Sequence, residues 1–91
     1  MEKLLYKIKI HGRVQGVGYR HSAATIARYI GIKGFIQNEM DGGVYIEAEG
    51  NRNQLDEFVG WCRKGPGLGN VQSIEIETAP PKNHHKFQIK Y

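Results

Sequence analysis

Two amphipathic helical stripes with a hairpin signal between them constrain the fold of this chain more than any other feature. Ala23, Ile26, Ala27 and Ile30 fall at i, i+3, i+4 and i+7, and Gly31 follows as a candidate helix-ending glycine. Leu55, Phe58, Val59 and Cys62 repeat the spacing, with Asn51 or Asn53 available as N-cap and Gly65-Pro66 as the stop. Between the stripes, Gly34 to Asn38 and Val44 to Glu49 are short β-prone runs flanking Glu39-Met40-Asp41-Gly42-Gly43, so Asp41-Gly42 reads as a hairpin connection with Val44, Ile46 and Ala48 facing inward.

Three further strands complete the pattern. Leu4, Tyr6, Ile8 and Ile10 alternate with Leu5, Lys7 and Lys9, the period of a strand with one buried face. Asn70 to Thr78 carries Ile74 and Ile76 on one face but Val71 on the other, which predicts a bulge or a frayed start near Gln72. Ala79-Pro80-Pro81 cannot continue a central strand, and beyond it Phe87, Ile89 and Tyr91 alternate with Gln88 and Lys90. The order β-α-β-β-α-β-β predicts an α+β fold: a ferredoxin-like β-α-β-β-α-β sandwich with an extra short C-terminal strand, its mostly antiparallel sheet carrying both helices on one face. Residues 1–91 are expected to form a single domain, with the modest core of a chain this short. Fold alone leaves function open, since this architecture hosts enzymes, metal carriers and RNA-binding modules.

Composition removes several classes. With 40% hydrophobic and 24% charged residues and no low-complexity run, the chain is globular in type. One cysteine, Cys62, forms no internal disulfide, and its place in a helical stripe marks a packed thiol rather than a nucleophile. No stretch approaches the roughly 18 apolar residues that span a bilayer, and the alternating start lacks the apolar run of a signal peptide, so a cytoplasmic location and no membrane partner are expected. Thirteen Lys and Arg against nine Asp and Glu give a net charge of +4, attractive to phosphorylated small molecules and to nucleic acid alike.

The loop joining the first strand to the first helix is His11-Gly12-Arg13-Val14-Gln15-Gly16-Val17-Gly18-Tyr19-Arg20. Glycine admits positive φ and a close ligand, and consecutive main-chain N–H groups in such a loop can converge on one anion beside the positive end of the following helix. Arg20 would add paired guanidinium donors. The glycine spacing matches neither a dinucleotide-binding fingerprint nor a Walker loop, so nucleotide binding is disfavoured. On physical grounds a phosphate site and a plain tight turn with a solvated arginine remain equal readings.

Gly12-Arg13-Val14-Gln15-Gly16-Val17-Gly18-Tyr19-Arg20 resembles the acylphosphatase signature Gly-x-Val-Gln-Gly-Val-x-Phe-Arg. Gly34-Phe35-Ile36-Gln37-Asn38 followed by Asp41-Gly42 resembles the family's Gly-Trp-Val-(Arg or Lys)-Asn-x-x-Asp-Gly, and Gly65-Pro66 matches its later Gly-Pro element. Tyr19 stands for the usual Phe, Phe35 for Trp, and Gln37 for a basic residue. The resemblance covers essentially the whole chain in order. It implies an acylphosphatase that hydrolyses the carboxyl–phosphate bond of small-molecule acyl phosphates without metal or organic cofactor. By the same resemblance Arg20 and the backbone amides of Gln15, Gly16, Val17, Gly18, Tyr19 and Arg20 hold the phosphoryl group, and Asn38 holds the attacking water. Inorganic phosphate is then product and inhibitor, and a monomer is expected.

Other residues invite chemical roles that local geometry disfavours. His21 follows Arg20 on a helix, where successive side chains point about 100° apart, so it is expected to face elsewhere. Glu39 and Asp41 would repel a phosphate, and Asp41-Gly42 is explained by turn chemistry. His84 and His85 are adjacent, on opposite faces if extended, so no metal site is expected. Trp61 lies outside its helix's apolar stripe and reads as a packing edge. An RNA-binding module is disfavoured because the third strand lacks the aromatic Lys/Arg-Gly-Phe-Gly-Phe pattern that stacks bases. An acylphosphatase-like accessory domain of larger hydrogenase-maturation proteins shares the loop and asparagine motifs, although the chain's ending near the last strand favours a free-standing enzyme.

Overall fold

The first strand, β1 (Leu4–Arg13), is interior to the sheet, flanked on both sides, and its alternation turns Ile8 and Ile10 into the core with no exposed surface. The computed structural model describes residues 2–67 and 69–91, so Met1 and Leu68 lie outside it. After β1 come α1 (Tyr19–Ile30), β2 (Lys33–Asn38), β3 (Val44–Gly50), α2 (Arg52–Lys64), β4 (Asn70–Ala79) and β5 (Phe87–Lys90). The sheet order is β4-β1-β3-β2-β5. Every pairing is antiparallel except β2 with β5, which is parallel.

One face of the sheet carries both helices. Ile36, Val44, Ile46 and Ala48 meet Ala23, Ala24 and Ala27 of α1 and Leu55, Phe58 and Cys62 of α2, all fully buried. Full burial of a ring such as Phe58 stabilises by roughly 1.5–3 kcal/mol. Asn51 caps α2: its side chain accepts from the Gln54 N–H at 2.9 Å while Gln54 Oε1 accepts from the Asn51 N–H at 2.9 Å. Gln54 Nε2 also donates to Ile30 O at 3.2 Å, tying the start of α2 to the end of α1. The burial of Cys62 pushes its thiol up to about 12, which suits packing and not nucleophilic chemistry.

The bulge expected near Gln72 is present. Pairing with β1 shifts between His11↔Ser73 and Gly12↔Val71, leaving Gln72 as the extra residue. The extra residue reverses the side-chain parity, and so Val71 joins Ile74 and Ile76 on the helix side.

The other face departs from the alternation. Leu5 is fully buried while Leu4 and Tyr6 are only half-buried, and Glu47 and Glu49 on β3 are buried too. The cause is the connector of residues 80–86, which crosses the sheet from edge strand β4 to the opposite edge strand β5. Glu49 accepts the N–H groups of Lys82, of Asn83 at 2.9 Å and of His84 at 2.6 Å. Glu47 accepts from Lys82 Nζ at 2.9 Å and Tyr45 Oη at 3.0 Å, and pairs with His84 Nε2 at 3.0 Å. Burial alone would raise both carboxyls, but these donors outweigh it and hold each below the usual carboxylate range. Leu5, the register partner of Glu49, shares this covered face.

Candidate functional site

The first loop and the ends of β2 and β5 enclose a cavity of about 160 Å³. Gly16 (φ 75°) and Gly18 (φ 79°) both adopt left-handed backbone, with Val17 between them. A Cβ at either would meet nothing within 4 Å, so the demand on these positions is conformational rather than steric. Gly18 is the N-cap of α1 and supplies no side-chain cap, which leaves the first-turn amides of Tyr19, Arg20 and His21 without intrahelical acceptors. Such a helix start offers N–H groups and a positive dipole end to an anion.

Arg20 stands in the first turn of α1 and is held from the far end of the chain. Its Nη1 donates to Lys90 O at 3.0 Å, and its guanidinium carbon lies 4.8 Å from the centre of the Tyr91 ring. A guanidinium carries five donors, so one bond to a carbonyl does not exhaust it. β5 is fixed for this task by a second arginine of the same helix: Arg28 Nε and Nη2 both reach Phe87 O, at 3.2 and 2.9 Å.

Asn38 ends β2 opposite Val44 and is exposed. It lines the same cavity as Gly16, Gly18, Tyr19 and Arg20, along with Ile89 and Tyr91. The hairpin beyond it is closed by Glu39 N to Gly43 O (2.9 Å), and Gly43 N donates to Asp41 Oδ1 (2.9 Å). Lys9 Nζ sits 3.1 Å from Asp41 Oδ2 and 3.5 Å from Glu39 Oε1, which occupies both carboxylates on the β1 side. The Gly43 N–H first, and Lys9 with it, hold the Asp41 carboxyl below its ordinary value.

The remaining loop residues divide by task. Gln15 does not line the cavity; its Nε2 donates to Glu39 O and Gly43 O, both at 2.8 Å, clamping the loop onto the hairpin that carries Asn38. The Val17 side chain packs against the core instead. Tyr19 is buried, its hydroxyl donating to Cys62 O at 2.8 Å and its ring tilted against Trp61 at 5.3 Å. Burial pushes the Tyr19 phenol upward, so it stays protonated. Only its backbone is available to a ligand.

Two features depart from the sequence reading. His21, expected to face elsewhere, lines the cavity beside Arg20, because the cavity lies at the start of α1 and both residues belong to its first turn. Ile89 and Tyr91 belong to the site through the parallel β2–β5 pairing, a contact no local pattern announces. His84 meets Glu47 rather than His85, and among the described residues no group of three or more His, Cys, Asp or Glu could hold a metal ion. Among them, too, no helix is long and apolar enough to cross a membrane.

The five-stranded sheet with both helices on one face places the chain among ferredoxin-like α+β domains, with an arginine-lined cavity at the strand ends. Comparison with known proteins narrows this. The Acylphosphatase family model matches residues 6–89. An acylphosphatase of Thermotoga petrophila is 40% identical over 85 residues, covering 93% of this chain and 94% of that one. The crystal structure of an acylphosphatase from Bacillus subtilis superposes with a TM-score of 0.94 at 37% identity, covering 97% of this chain and 99% of that one. Full-length HypF, in a phosphate- and nucleotide-bound form, matches at TM-score 0.89 and 28% identity, over 99% of this chain but 12% of its own. The chain belongs to the acylphosphatase family, and its function is that of an acylphosphatase.

Proposed function

We propose that the chain hydrolyses small-molecule acyl phosphates to a carboxylate and inorganic phosphate, with Arg20 and the amides of Gln15 to Arg20 binding the phosphoryl group and Asn38 placing the attacking water. The supporting observation is that Arg20 and Asn38, from a helix start and a strand end, line one cavity with the left-handed glycine loop. An acyl phosphate has a good carboxylate leaving group, so the protein need only stabilise charge on the phosphoryl oxygens and set a water in line. The Asn38 carbonyl accepts from that water and its amide donates, but neither takes its proton. The proton passes to a substrate phosphate oxygen or to bulk water. On this reading residues 1–91 act as one cytoplasmic, monomeric domain that needs no metal or organic cofactor, and inorganic phosphate, the product, inhibits competitively.

Two variants separate the roles. Arg20→Ala removes charge-assisted hydrogen bonds worth roughly 1.5–3 kcal/mol each, so phosphate affinity and turnover both fall. Asn38→Ala leaves the cradle whole, so phosphate binds nearly as before while kcat for benzoyl phosphate drops about a hundredfold or more. Calorimetric titration with phosphate beside steady-state kinetics, with and without chelator, reads both. Equal loss of phosphate binding in the two variants would make Asn38 a ligand and refute the water-placing role.

A further inference from the structure

On the side of β2 and β5 away from the helices lies a second cavity, of about 280 Å³, lined among others by Phe35, His85, Lys86, Gln88 and Lys90. It takes no part in the cradle described above. Ile36 and Ile89 go to the helix side of this strand pair, so Phe35, Gln37, Gln88 and Lys90 stand on the opposite side. Gln37 and Lys90 are register partners at the end nearest the catalytic loop. Gln37 is neutral and spends its amide on Glu39 Oε2 at 3.3 Å. The cation at this level is therefore Lys90, whose Nζ rests 3.9 Å from the centre of the Phe35 ring. Lys82 is held by Glu47, but among the described residues no carboxylate pairs with Lys86 or Lys90.

Lys90 is also the residue whose carbonyl accepts from Arg20, so its ammonium is separated from the catalytic guanidinium only by its own backbone and side chain. We propose that this groove receives the acyl half of the substrate and that Lys90 selects acyl phosphates whose acyl chain ends in a carboxylate. The inference rests on the acylphosphatase reading. With the phosphoryl group in the cradle, the ends of β2 and β5, which border it at Asn38 and Ile89, give the acyl chain a way out. On the helix side Val14, Ile89 and Tyr91 line the path, whereas the open side offers a groove in which the Lys90 ammonium, resting on the Phe35 ring, is the first charged group met. Of the two unpaired lysines, Lys86 precedes Phe87 at the far end of the strand pair and only Lys90 stands at the cradle end; one ammonium there, without a guanidinium fork or converging amides to share a dianion, suits a carboxylate better than a second phosphate. Of the acids on the same face, Glu47 and Glu49 are taken up by the connector, Glu39 is met by Lys9 and by the Gln37 amide, and Glu75 and Glu77 stand on the opposite edge strand β4.

The test compares succinyl phosphate with butyryl phosphate, equal in chain length and differing by one ionised carboxylate. The readout is the ratio of their kcat/KM values. The wild type should favour succinyl phosphate, Lys90→Gln should lower the ratio about fivefold as for loss of a surface ion pair, Lys90→Glu should lower it further, and Lys90→Arg should keep it. Raising the ionic strength should erode the wild-type preference. A ratio unmoved by Lys90→Gln, or a wild type that prefers butyryl phosphate, would overturn the proposal even if both rates fell. No turnover of either acyl phosphate by the wild type would defeat the acylphosphatase reading itself, and this subsite with it.

Discussion

Glu49→Gln tests whether the connector is held to the sheet by charge. In the folded chain Oε2 accepts the N–H groups of Lys82 and Asn83, and Oε1 accepts that of His84. An amide must turn its NH2 toward one side, so the best orientation still faces the His84 N–H with a donor and leaves it unsatisfied, which costs about 1–3 kcal/mol. The two surviving bonds lose their charge assistance, roughly 1 kcal/mol each. The total is about 3–5 kcal/mol, and at roughly 4–8 °C per kcal/mol for a domain of this size the midpoint should fall by about 12–40 °C. Thermal and urea melts at pH 7 measure it. The pH dependence has a definite sign. Burial would raise the Glu49 carboxyl, the connector's N–H groups hold it below its ordinary value, and so its stabilisation is complete above the unfolded value of about 4.3 and is lost as pH falls through the lower folded one. The gap between wild type and variant should therefore narrow in acid. A variant within about 0.5 kcal/mol of wild type at pH 7, or a gap that stays constant down to acid unfolding, would refute the reasoning.

Two further outcomes are expected. Tyr91→Ala removes the surface on which Arg20 lies and should lower kcat/KM for benzoyl phosphate about two- to fivefold, while Tyr91→Phe keeps the ring and most of the rate; equal losses would deny a positioning role. Asn51→Ala breaks the reciprocal cap of α2 and should cost about 1 kcal/mol in urea melts with kcat unchanged.

Much of the fold is local in origin and was therefore legible. The stripes of Ala23 to Ile30 and Leu55 to Cys62 need only helical periodicity, and the misplaced parity of Val71 is itself the mark of the bulge at Gln72. What escaped the sequence reading depends on partners far along the chain. Leu5 and Lys7 look alike as outward residues of β1, yet Leu5 is buried because the connector arrives over that end of the sheet. Glu47 and Glu49 alternate as solvated charges would, and, Tyr45 apart, their donors lie 33 to 37 residues away. At the site, the glycine loop, Arg20 and Asn38 carry signals in residue type and spacing. Ile89 and Tyr91 reach it only because β5 pairs with β2 across roughly fifty residues, and the Gln15 clamp depends on how the hairpin lands.

The charged face under the connector also bears on how the chain behaves while it is incomplete. β4 and β5 occupy opposite edges of the sheet, so the connector closes only when both edges are in place. A partly assembled chain bares that face, and what it bares in the middle strand are the carboxylates of Glu47 and Glu49. Lys7 and Lys33 stand opposite them on the neighbouring strands, so the bared centre of the sheet is charged rather than apolar. Burying it against a second sheet would strip water from those charges without the N–H groups that satisfy the acids in the finished molecule. The residues that lock the connector down thus also make stacking costly for unfinished copies, at the stage when a β-rich chain is most prone to it.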